Sequence, residues 1–171
     1  MQHHFYAYMA RMKLIKRWGL RHNTREENDQ EHSLQVTMIA HALATYKNRR
    51  YGGGVDVEKV LLYAIYHEAA EVITGDLASP IKYFNPGIRD AYKAIERMAS
   101  QKLMDYLPED FQEDFQGLLF PDEESYEWRI VKAADRISAY VKCLEEYAFG
   151  NREFITAQEN IRASISQMNM P

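Results

Sequence analysis

The sequence predicts an all-α fold, a compact helical bundle forming one domain over residues 1–171. Three observations predict it. Apolar residues recur at helical spacing along most of the chain, and strand-type alternation is scarce. Glycine, proline and asparagine fall between the periodic runs, at intervals suited to helices. A chain of 171 residues has the size of one ordinary domain and needs no disulfide or structural metal to bury a core.

The elements follow in order. A first helix is expected from about His4 to Ile15. The polar segment Lys16 to Gln30, with Gly19 and Asn23, reads as a loop. A second helix spans about Glu31 to Asn48 and stops at Gly52-Gly53-Gly54. Asp56 is a suitable N-cap for a third helix continuing to about Val72. Thr74 to Pro86 reads as a loop, punctuated by Gly75, Pro80 and Pro86. A fourth helix covers Ile88 to Tyr106 and ends before Pro108. A short one covers Glu109 to Leu119. A long one follows Pro121 and runs to Phe149, where Gly150-Asn151 stops it. The last covers Arg152 to Met168.

Bulk properties exclude several function classes. The formal net charge of -4 argues against polymeric nucleic acid as a partner. No run of about 18 apolar residues is present, so no membrane span is expected. Met1 to Tyr8 lacks the pattern of a secretory signal, and the single cysteine, Cys143, rules out an internal disulfide and fits a reducing compartment. The expectation is a cytoplasmic protein. Lys13, Lys16, Arg17, Arg21 and Arg25 form a local basic cluster. It reads either as a site for one phosphate or as a solvated helix end and loop.

Two strings place polar groups on faces that their helices bury: Glu31-His32-Ser33 and Tyr66-His67-Glu68-Ala69-Ala70-Glu71. On the second helix Val36, Ile39, Leu43 and Tyr46 form an apolar stripe with His32 at its head. His41 lies on the opposite, solvated face. A core histidine bonded to a carbonyl satisfies the same spacing. On the third helix Val57, Val60, Leu61 and Ala64 form the stripe, and the next members at that spacing are His67, Glu68 and Glu71. A frayed polar helix end is the plain alternative, but Val72 and Ile73 return to apolar character.

Burying charge without a partner is costly, and a divalent ion is the simplest partner. Imidazole nitrogen with carboxylate oxygen suits Mn, Co, Zn or similar ions better than Ca. Such a set leaves coordination positions open for water, whose pKa the ion lowers. Glu71, one turn from His67, is placed to act as acid or base. A further ligand is needed, and Asp135 in Lys132-Ala133-Ala134-Asp135 is a candidate. It flanks the stripe Ile130, Ala134, Ile137 and Val141, so periodicity alone does not select it, and a surface ion pair is the plainer reading.

These residues resemble the HD-domain metal-dependent phosphohydrolases. More closely, several strings resemble the YfbR-type bacterial 5'-deoxynucleotidases. They are Arg17-Trp18, Glu31-His32-Ser33-Leu34-Gln35-Val36, Tyr66-His67-Glu68-Ala69-Ala70-Glu71-Val72 and Thr74-Gly75-Asp76-Leu77. Pro80-Ile81-Lys82-Tyr83-Phe84-Asn85, Lys132-Ala133-Ala134-Asp135 and Lys142-Cys143-Leu144-Glu145-Glu146 continue the similarity. The resemblance implies hydrolysis of deoxyribonucleoside 5'-monophosphates to deoxynucleoside and phosphate. It implies one divalent transition metal held by His32, His67, Glu68 and Asp135, with Glu71 as acid or base. It implies that Arg17 binds the phosphate, Trp18 disfavours a 2'-hydroxyl, Asp76 takes the 3'-hydroxyl, and the protein is a homodimer. Two departures stand out. The dyad is His67-Glu68 where the family has His-Asp, and the relatives continue beyond position 171. The alternatives are a hydrolase of another nucleotide or phosphomonoester, and a metal- or nucleotide-binding domain with weak or no turnover.

Overall fold

Side-chain caps start the main helices in this computed structural model, which describes residues 4–82 and 84–170. Expectations touching Met1 to His3, Tyr83 and Pro171 lie outside the described residues. Helix α1 (Phe5–Met9) tightens into a 3-10 turn, Ala10–Leu14. Helix α2 (Asp29–Arg50) begins two residues earlier than expected, because the Asn28 side chain accepts from the Gln30 and Glu31 amides. Asp56 caps α3 as expected, accepting from the Lys59 amide at 3.0 Å, but α3 (Val57–Tyr66) ends six residues short of Val72. A four-residue helix, α4 (Glu71–Thr74), follows.

The segment read as a loop from Thr74 to Pro86 contains one turn of helix, α5 (Ser79–Lys82). Helix α6 (Pro86–Met104) starts on an Asn85 cap with proline at its first position. The 3-10 turn Glu109–Phe111 leads into α7 (Gln112–Leu119). Helix α8 (Tyr126–Ala148) starts on a Ser125 cap, and the turn Arg152–Phe154 leads into α9 (Ile155–Ser166). Among the described residues the sole β feature is one antiparallel bridge, Lys16 with Asn28. No helix among them is long and apolar enough to cross a membrane.

Two apolar clusters flank the region where the polar strings meet. In the first, α2, α3 and α8 pack through Val36, Ala40, Ala44, Val60, Tyr63, Ala64, Ile130, Val131 and Ala134. The alanines let three backbones approach closely. This rotates the α2 stripe from its expected position: Ala40 and Ala44 are fully buried, Ile39 and Leu43 pack on the flank, and Tyr46 is exposed. The second cluster joins Phe5, Met12, Ala69, Val72, Leu103, Met104, Leu107 and Leu119. The chain passes from the first cluster to the second between Ala64 and Ala69, so His67 and Glu68 sit at the seam.

Close packing at the three-helix junction leaves no room for growth. Ala40→Leu is expected to cost about 1–3 kcal/mol through overpacking and to lower the midpoint of thermal unfolding by several degrees. A midpoint at or above that of the parent protein would show the junction to be loosely packed.

Candidate metal centre and its cleft

Adjacent residues on a regular helix point about 100° apart, yet His67 and Glu68 face one centre. The backbone between Tyr66 and Ile73 explains this. The amides of Ala69, Glu71, Val72 and Ile73 bond to carbonyls three residues back, at 2.9–3.3 Å. Residues 67–70 thus form tight turns between α3 and α4. His67 contributes to the tightening, because its Nδ1 lies 2.8 Å from the Ala64 carbonyl. The sequence expectation of an unbroken helix here is corrected: Ala69 and Ala70 favour helix, but the two clusters on either side pull the chain apart.

His32, His67, Glu68 and Asp135 each offer a ligand atom, and these atoms lie within 4.8 Å of one another. The hydrogen bonds test whether the set suits a cation. His67 Nδ1–H donates to the Ala64 carbonyl, so Nε2 presents a bare lone pair. That atom is buried without a hydrogen-bond partner and lies 3.4 Å from Glu68 Oε1. Ser138 O–H donates to Gln35 Oε1 at 3.1 Å, so the Ser138 oxygen accepts from His32 Nδ1–H at 3.3 Å. His32 Nε2 then faces Asp135 Oδ1 at 3.1 Å. Lone pairs facing carboxylate oxygens in a buried seam form a donor set suited to a divalent ion. The Glu68 carboxylate joins the set despite its additional methylene relative to Asp.

Charge at this centre is finely divided. Burial would raise the carboxyls of Glu68 and Asp135, but neighbouring positive and imidazole groups outweigh it. Glu68 falls to about 2 through His67 and Arg17. Asp135 falls well below its ordinary value through Lys132, His32 and His67. Burial pushes His67 down, into its neutral form. Glu71, 4% exposed, is pushed up to about 11 by burial and by the charges of Glu68 and Asp29.

Arg17 is the central cation. Its guanidinium lies 3.6 Å from Glu68, 3.7 Å from Asp29 and 3.5 Å from Glu27, and its buried Nε makes no hydrogen bond. Burial opposes its charge, but Glu68, Asp135 and Glu27 hold it charged. Trp18 follows, with its indole donating to Glu27 Oε2 at 3.0 Å and its ring packed on Phe154. Asp76 stands at the exposed rim, just after Gly75, whose positive φ of 72° turns the chain. All eight residues singled out from sequence therefore lie in or beside one centre. The basic cluster contributes only Arg17 to the centre: Lys13, Lys16 and Arg25 are exposed, Lys16 pairs with Glu26, and Arg21 bonds the Glu153 carbonyl, with Lys16 and Arg21 on the wall of the cleft outside it.

Sequence reasoning missed four groups. Asp29 is fully buried, both its carboxylate oxygens lack hydrogen bonds, and burial raises its pKa to about 7. Glu27 bridges Arg17 and Trp18. Lys142 and Glu146, both buried, form an ion pair one turn apart on α8. Glu146 also accepts from the Thr24 and Arg25 amides and from Asn151 Nδ2. For Lys142 and Glu146 the signal is the spacing Asp135, Ser138, Lys142, Glu146, a polar line on one face of α8. The centre opens into a cleft of about 1850 Å³, lined by Arg17, Trp18, His67, Glu68, Glu71, Asp76 and Asp135 among others.

Two outcomes follow from this chemistry. Adding Zn, Co or Mn singly to metal-free protein is expected to raise its unfolding temperature, because a ligand of the native state stabilises it, and His67→Ala is expected to abolish the increase. Glu71 binds its proton more tightly folded than unfolded, so metal-free protein loses stability as pH rises above the ordinary carboxylate range toward about 11. Thermal unfolding between acid and alkaline pH checks this: Glu71→Gln should flatten the decline, and an unchanged slope would contradict the assignment.

Comparison with known proteins agrees with this arrangement. A family model described as 5'-deoxynucleotidase YfbR-like matches residues 4–171. The 5'-deoxynucleotidase YfbR of Escherichia coli O1:K1 is 53% identical over 167 residues, covering 96% of this chain and 83% of the relative. That of Shigella dysenteriae serotype 1 is 52% identical over 168 residues, with the same coverage. Among solved structures, an HD-domain phosphohydrolase from Listeria innocua superposes with a TM-score of 0.86 at 22% identity, over 96% of this chain and 80% of that one. The cyanophage S-2L HD phosphohydrolase, solved bound to dA and one catalytic Zn2+ ion, superposes with a TM-score of 0.67 at 18% identity, over 94% and 82%. Half of the aligned residues are shared along nearly the whole chain, on an HD-domain scaffold: this chain belongs to the YfbR-like 5'-deoxynucleotidase family.

Proposed function

We propose that this chain, acting as one phosphohydrolase domain over residues 1–171, is a divalent-metal-dependent 5'-deoxynucleotidase. Its substrate class is deoxyribonucleoside 5'-monophosphates, cleaved to deoxynucleoside and phosphate. The observation that carries the reading is the juxtaposition of four convergent ligand atoms with an arginine whose buried Nε makes no hydrogen bond and lies 3.5 Å from Glu27. A group that brings its own negative charge and acceptor oxygens fits between them.

In this reading His32, His67, Glu68 and Asp135 hold one transition metal, with Co, Mn or Zn suited to the donors. The ion, when bound, supplies Lewis acidity and a water of lowered pKa. Arg17 grips the phosphate, which its planar fork of donors matches. Glu71 holds a proton in the metal-free protein and is placed to pass it to the departing 5'-oxygen. Trp18 occupies the space that a 2'-hydroxyl needs, and Asp76 accepts from the 3'-hydroxyl at the rim of the cleft. With its one cysteine buried and unpaired, the protein is read as cytoplasmic. It is read as a homodimer by family resemblance.

The test is phosphate release from paired 2'-deoxy and ribo 5'-monophosphates after chelation and single-metal restoration. Release is expected with the deoxy substrate, and Glu71→Ala should lower kcat by about a hundredfold or more. Absence of release with every metal would sink the enzyme reading. Glu68→Asp should change the metal preference or rate, which distinguishes a ligand from a bystander.

A further inference from the structure

Trp18 has a left-handed backbone, with φ of 59°. For a bulky residue this conformation costs of order 1–3 kcal/mol and persists only where surroundings over-determine it. Several contacts do so. The Arg21 amide donates to the Trp18 carbonyl at 3.0 Å, and Asn23 Nδ2 donates to it at 3.3 Å. The ring leans on Phe154, with centroids 5.2 Å apart. None of these fixes the rotation of the indole edge. The bond from Nε1 to Glu27 Oε2, at 3.0 Å, does.

Glu27 makes more than this one contact. The same oxygen lies 3.5 Å from Arg17 Nε, and its other oxygen lies 3.9 Å from His32 Nδ1. The Glu27 carbonyl accepts from the Arg17 amide at 3.0 Å, beside the Lys16–Asn28 bridge. Its side chain is 12% exposed. One carboxylate thus touches the phosphate-facing arginine, the tryptophan and the edge of the metal centre. From this geometry we propose that Glu27 is a specificity-determining positioning residue, which clamps the Trp18 indole in register with Arg17 and so sets discrimination between deoxyribo and ribo substrates. The inference rests on the reading of Trp18 as the group beside the sugar.

Glu27→Gln removes the charge of the clamp while keeping one acceptor oxygen, Trp18→Phe removes its indole donor, and Trp18→Ala removes the ring. For each variant and the double variant, kcat and KM are measured with a deoxy and a ribo 5'-monophosphate of one base, alongside metal content. Glu27→Gln is expected to lower the deoxy-to-ribo ratio of kcat/KM by about tenfold, the size of the difference between a charged and a neutral acceptor facing both Trp18 and Arg17. The deoxy KM should rise more than kcat falls, with metal content unchanged. Trp18→Phe should match it, and the double variant should be no worse than either. If Glu27→Gln does not fold, Trp18→Phe alone decides, and an undiminished ratio overturns the proposal. It is also overturned if Glu27→Gln keeps the parent ratio while Trp18→Ala collapses it, a result that leaves the Trp18 reading standing, or if the two losses add. A parent protein that does not discriminate removes the Trp18 reading and this inference together.

Discussion

Too much negative charge converges on one buried arginine for the centre to be at rest by itself. Glu27, Asp29 and Glu68 surround the Arg17 guanidinium, while Glu71, Asp76 and Asp135 lie close enough to shift their neighbours. In a seam with little water, like charges cannot all persist. The protein answers by protonation at Glu71, by burying a neutral His67, and by offering lone pairs that a divalent ion can occupy. The architecture follows from that constraint. Helices α2 and α8 and the turn after α3 bring the candidate ligand residues in from three directions, and the N-terminal loop brings the arginine.

Helix α8 ties the two halves of the site together. Asp135 faces the ligand set, Ser138 orients His32, and Lys142 with Glu146 holds the Thr24–Arg25 backbone. The strength of this arrangement lies in shared rigidity. A rotation of α8 would move Asp135 and the Arg17-bearing loop together, preserving their spacing. A buried ion pair adds little stability by itself, but Glu146 satisfies its oxygens with amides that otherwise have no partner in the fold's regular helices.

The sequence made the α2–α3 part of the site legible because a helix enforces a period. His32, His67, Glu68 and Glu71 break an apolar stripe, and a break in a period is readable. Asp135 was not selected by that logic, because α8 buries a broad face on which no position stands out. Arg17, Trp18 and Asp76 lie in loops, where spacing carries no direction, and only family resemblance assigned them roles. Asp29 was hidden differently: an acid in the first turn of a helix ordinarily complements the dipole at the surface, and nothing local marks this one as buried. The end of α3 at Tyr66 was illegible because it is imposed by packing on both sides, against the preference of Ala69 and Ala70.

The grip on the N-terminal loop falls largely on main-chain atoms. Arg25 is held by its N–H and its carbonyl, Thr24 by its N–H, and His22 by its carbonyl through Asn151. The Arg25 side chain points to solvent. Main-chain atoms are common to every residue type, so this stretch can exchange surface side chains without releasing the loop. Its outer face is free to diverge between relatives while the geometry behind it stays constant.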